Sequence, residues 1–133
     1  MNDPRLEEGV NCFNREEFFE AHEVWENLWN ETYDDSKPFV QGLIQVATAM
    51  HHLYNGNMRG ARTLYHSGLD LLKPFGTRRS GIDLGKLSRQ FTQALEGFLD
   101  VPYEQLAGRG GSGGPLKAAD ASTRAFKIDY EKE

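Results

Sequence analysis

The sequence contains a single cysteine, Cys12, in 133 residues. No intramolecular disulfide is available, and such a composition suits a reducing cytoplasm. Acidic Glu7 and Glu8 precede Cys12, and Arg15 is the one cation near it, so it reads as a small packed hydrophobe, not a reactive thiol. Apolar runs are short as well, and none approaches the ~20 residues of a membrane-spanning helix. The first ten residues, MNDPRLEEGV, lack the apolar core of a signal peptide. The expectation is a cytoplasmic protein with no membrane partner. Positive charge is scarce: the formal net charge is −5, and Arg78–Arg79 is the one adjacent basic pair. Phosphate backbones require a clustered basic face, so no nucleic-acid partner is expected.

What is present is helical patterning. Asp3 and Pro4 suit the start of a first helix reaching residue 12, with Leu6 and Val10 opening its apolar stripe. Asn14 is placed to cap a second helix that ends near Thr32, with Glu17 as its capping-box partner. Ser36 would cap a third, over roughly 37–55, in which Phe39, Val40, Leu43, Ile44, Val46, Ala47, Met50, Leu53 and Tyr54 cover almost the whole circumference. A helix so uniformly apolar belongs at the centre of a bundle. Gly42 and Ala49 share one face of it, where another helix could approach closely. Gly56 and Asn57 end that helix and start a fourth over 58–73, and Asp83 would cap a fifth that stops before Val101–Pro102. The fold class is thus all-α: a single-domain bundle of five helices over residues 1–106.

Residues 107–133 read differently. GRGGSGG at 108–114 has five glycines in seven positions, the composition of a flexible linker. These glycines follow no predicted strand, and no lysine follows them in phosphate-loop spacing, so neither a phosphate loop nor a dinucleotide site is assigned. The polar tail beyond is expected to be disordered. Its faint alternation of Phe126, Ile128 and Tyr130 offers one alternative, a strip laid on a neighbour and hence a homodimer.

The second helix carries the sharpest chemical signal. At 100° per residue, Phe18, Ala21, Trp25, Leu28 and Trp29 form an apolar arc, with Phe19 beyond it. His22 and Glu26 fall inside that aromatic boundary, four positions apart on one face. A buried carboxylate must be paired, hydrogen-bonded or bound to a cation. Antiparallel pairing of the second and third helices would bring Gln41 and Gln45 level with His22 and Glu26, while His52 would lie about two turns away. Two readings stay open. Either His22 and Glu26 present two ligands to a divalent ion such as Zn, Mn, Ni or Fe, or they form a buried polar network with Gln41 or Gln45 that fixes helix register. His51 and His66 are expected to be partly exposed helix residues.

The spacing His22-x-x-x-Glu26-x-x-Trp29, followed by FVQGLIQVATAMHHLYNGNMRGA from Phe39 to Ala61, resembles the domain of unknown function 309 family over residues 5–100. The resemblance implies a small helical fold and, through that motif, a metal site at His22 and Glu26. It implies no established activity, and it does not extend to the glycine-rich tail. Function is accordingly expected in one of two classes. One is a metal- or ligand-binding helical domain centred on His22 and Glu26, with Trp29, Gln41, Gln45 and His52 as neighbours. The other is a non-enzymatic interaction module. No catalytic residue is assigned.

Overall fold

A computed structural model describes residues 1–108 and 124–133. Five α-helices make up most of the described chain: α1 (Pro4–Asn14), α2 (Phe18–Asn30), α3 (Lys37–Tyr54), α4 (Met58–Leu72) and α5 (Leu84–Ala94). Two-residue strands β1 (Arg78–Arg79) and β2 (Ile82–Asp83) form an antiparallel hairpin before α5. It lies between the expected end of the fourth helix at 73 and the expected cap of the fifth at Asp83. Ser80 and Gly81, with φ of 53° and 85°, supply the turn, the left-handed pair a tight two-residue hairpin requires.

As expected, α3 is central and packs against both α2 and α4. Phe39, Val40, Leu43, Val46, Ala47, Ala49 and Met50 have no exposure at all. Burying such side chains contributes about 1.5–3 kcal/mol for each of the larger ones. The small residues set the spacing. A β-carbon on Gly42 would lie 2.7 Å from the Leu72 side chain, so α4 sits closer to α3 than any larger residue allows. Gly9 does the same for α1 and α2: the Trp25 ring lies over it, and the indole N–H donates to the Leu6 carbonyl at 3.2 Å. Trp25 is fully buried in consequence.

Three of the expected caps are made. Asp3 accepts from the Arg5 amide, Asn57 from Gly60 and Asp83 from Lys86. Two are not. Ser36 makes no capping bond, and its hydroxyl accepts instead from Arg79 at 3.0 Å. Asn14 is the last residue of α1 rather than the cap of α2, which starts at Phe18 after Glu16 has turned through φ 64°. The carboxamide of Asn14 is engaged elsewhere, on the backbone of Ile128. Helix α5 is also shorter than expected. It ends at Ala94, and the chain beyond is held by Arg62, which donates to the carbonyls of Phe98 at 3.0 Å and of Val101.

The described part of the tail, residues 124–133, lies on the bundle of its own chain. Phe126 and Ile128 are buried, and the Phe126 ring packs 5.3 Å from Phe13 and 5.9 Å from Phe91. Disorder was the expectation there. Two apolar side chains buried two residues apart, with backbone hydrogen bonds at Ile128, Asp129 and Glu131, offset the ordering cost that a polar tail would otherwise not meet. Most of the glycine-rich stretch, residues 109–123 included, lies outside the described residues. Among those described, no helix is long and apolar enough to cross a membrane.

Candidate functional site

The outer face of α2 holds the pair singled out by its spacing. One turn of helix separates the two residues, and the His22 Nε2 lies 3.0 Å from the Glu26 Oε2. They do not sit in the core. The His22 side chain is 28% exposed and that of Glu26 is 52% exposed. The buried sector of α2 is Phe18, Ala21, Trp25 and Leu28, narrower than the aromatic arc suggested. Phe19 at one edge is 49% exposed, and Trp29 at the other is half-buried, so His22 and Glu26 lie on the rim. Solvent reaches the carboxylate directly, and the expectation of a costly buried charge at Glu26 is corrected accordingly.

The expected partners on α3 turn the other way. Gln45 accepts from the Ser67 hydroxyl of α4, and its β-carbon faces Gly68. The His52 Nδ1 lies 3.3 Å from the Asn57 amide nitrogen, beside Gly60 at the start of α4. Gln41 is half-buried, one turn before Gln45, and no hydrogen bond joins it to the pair. Gln45 and His52 of α3 thus face α4, not α2, and the network expected between Gln45 and Glu26 does not form. Trp29 has its own role at the α2–α3 turn: the Lys37 ammonium sits 4.1 Å from its ring centroid and 5.3 Å from that of Tyr33.

The residue of α3 that does come near is His51. Its ring centroid lies 5.6 Å from Phe19, whose own ring is 6.0 Å from His22. An exposed phenyl ring therefore stands between two imidazoles. His51 follows Ile44 by two helical turns, which puts both on one face of α3, and His51 meets Phe19 of α2 there. Behind this cluster Tyr54 stacks edge-on against Phe18 at 5.0 Å and donates to the Glu16 carboxylate.

One imidazole and one carboxylate do not complete a metal site. Zinc takes four ligands in structural sites and three protein ligands in catalytic ones. Among the described residues, no group of three or more His, Cys, Asp or Glu side chains could hold a metal ion. The donor set therefore does not fit a self-contained metal centre. Two clefts open elsewhere. One of about 540 Å³ lies beside α5 near Gln90 and Phe126, and one of about 510 Å³ lies between α4 and α5 near Leu69, Leu72 and Leu84. Neither is lined by His22 or Glu26. Cys12 is buried, and desolvation raises its pKa, which keeps the thiol protonated and a poor nucleophile.

No curated protein matches the chain. Residues 6–64, from α1 into the first half of α4 and including His22, Glu26 and Trp29, match the family described as Domain of unknown function (DUF309), and it is this family that the chain resembles.

Proposed function

We propose that the chain is a non-enzymatic helical interaction module whose working surface is the outer face of α2 with the adjoining edge of α3. The observation that carries this reading is Phe19, a phenyl ring 49% exposed between His22 and His51. Exposed aromatics that stand among polar groups are the usual anchors of protein interfaces. Glu16, Glu20, Glu23 and Glu26 are all exposed on the same helix or at its entry, so the surface suits a cationic partner with an apolar side chain to set against Phe19. The half-exposed Glu26 carboxylate keeps accepting capacity beyond its contact with His22.

A second reading keeps the pair as a ligand site. The 3.0 Å contact between imidazole and carboxylate favours it, with water or a partner molecule completing the shell of a divalent ion. Two measurements separate the readings. The first is elemental analysis of protein purified without chelator or histidine tag. The second is chemical-shift mapping with a lysine-rich amphipathic peptide. The interaction reading expects no retained metal and salt-dependent shifts centred on Phe19, His22 and His51 that vanish in Phe19→Ala. Stoichiometric metal lost in both His22→Ala and Glu26→Gln, with no peptide response, would replace it by the ligand-site reading.

A further inference from the structure

The described tail binds the bundle as a peptide would bind a receptor. Residues 129–131 run antiparallel along the β2 edge through one isolated bridge: Ile82 bridges Tyr130, the Asp83 amide donates to the Asp129 carbonyl at 3.1 Å, and the Glu131 amide donates to the Gly81 carbonyl at 2.7 Å. On the other side Asn14 grips both backbone groups of Ile128, accepting from its amide at 2.7 Å and donating to its carbonyl at 3.0 Å. Side chains then alternate. Phe126 and Ile128 are buried, while Lys127 and Asp129 are exposed, with Asp129 meeting Lys86 at 2.8 Å. Backbone pairing along a strand edge, with pockets for every second side chain, is how extended peptides are recognised by sheet addition. Gly81 is essential to the fit, because a β-carbon there would lie 2.2 Å from the Glu131 carbonyl oxygen.

Every one of these partners lies far from the segment in the sequence. Residues 109–123 connect it to the bundle. The same contacts would therefore form with a segment supplied by another molecule. We infer that the groove between Asn14, Phe13, Phe91 and the β2 edge is a docking site for residues 126–131 of a second copy of this chain, exchanged for its own. Exchange of an identical element makes every contact twice over and adds none, so it is set by concentration. Because the strand is covalently joined to its own bundle, it is held there at an effective concentration on the order of millimolar. The self-docked chain dominates in dilute solution, and exchange appears as that concentration is approached or as the self-docked strand is weakened.

The test uses a fluorescent peptide of residues 124–133 and the full chain. An Ile128→Asp chain, whose own strand is weakened, should bind the peptide at least tenfold more tightly than the wild type, and an Ile128→Asp peptide should bind neither. No binding to a folded Ile128→Asp chain would overturn the proposal. To guard against loss of fold in that variant, a full chain with a protease site inserted after Ser112 provides an independent arm. After cleavage, replacement of the released segment by labelled peptide supports the proposal. Unfolding on cleavage, or a segment that stays bound without exchange, overturns it.

Discussion

Asn14 and Ile128, 114 positions apart, are joined by two hydrogen bonds from a single carboxamide to both backbone groups of one residue. The geometry is that of a strand pairing with a side chain instead of another strand. Asn14→Ala leaves a mostly buried amide and carbonyl without partners, and each such loss costs about 1–3 kcal/mol. The variant should lower the urea midpoint and speed hydrogen exchange at the Ile128 amide. Asn14→Asp keeps the acceptor and loses the donor, so it should fall between the two. Exchange at Ile128 as slow as in the wild type would show that the carboxamide contributes nothing.

Gly9→Ala separates packing from helix propensity. Alanine in the interior of a helix gains about 1 kcal/mol over glycine. At this position its β-carbon would lie 2.0 Å from the Trp25 indole nitrogen, which is itself bonded to Leu6. Overpacking of that kind costs about 1–3 kcal/mol, and the lost hydrogen bond adds to it. The substitution should destabilise the protein and shift the tryptophan fluorescence to the red. A stabilised variant would mean that α1 is free to move away from α2.

Asp3 makes a prediction about pH. Its hydrogen bonds to the Arg5 side chain, the largest cause, together with the Arg5 amide and charge, lower its pKa below the ordinary value of 3.8. A carboxyl group with a depressed folded pKa stabilises the protein fully above its unfolded pKa, and the effect disappears as pH falls through the folded value. Asp3→Asn keeps a side chain able to cap α1 but does not titrate. Urea midpoints from pH 7 down to pH 2 should therefore fall less steeply on the acid side in the variant. Parallel curves would place the acid sensitivity elsewhere.

The core and three of the five caps, at Asp3, Asn57 and Asp83, were legible because both are local or periodic. The apolar circumference of α3 and the Asp–Pro, Asn–Gly–Asn and Asp–Leu starts carry their own physics. The site was legible only as a pair. Periodicity tells which side of α2 prefers burial, but the width of the buried sector depends on how closely α1 and α3 approach, which left Phe19 and Glu26 outside. Gln45 and His52 had two neighbouring helices to face. The pattern does not say that Ser67 and Asn57 on the α4 side take them. Nor could any local rule connect Asn14 to Ile128.

The exposure of Glu26 decides what its removal does. Inside the core, a neutral replacement would strand the charge of a paired imidazolium and cost about 1–3 kcal/mol. On the rim, with 52% of the carboxylate side chain exposed, water screens the interaction with His22. An i,i+4 pair on a helix surface is worth about 0.3–0.5 kcal/mol. Glu26→Gln should therefore lower stability by less than about 1 kcal/mol. That loss should also shrink in high salt, where screening removes most of what an exposed pair contributes. The same variant tests the ligand-site reading, because an ion bound to the native state stabilises in proportion to its binding. Melting curves of wild type and variant, each with chelator and with excess Zn or Mn, provide the comparison. For the interaction module, the wild-type melting temperature should be the same under both additions, with the variant a degree or two below it. A wild type that gains several degrees with metal, beside a variant that gains none, would assign Glu26 to an ion. A loss well above 1 kcal/mol in chelator alone would show that the pair is shielded from water, contrary to its position on the rim of α2.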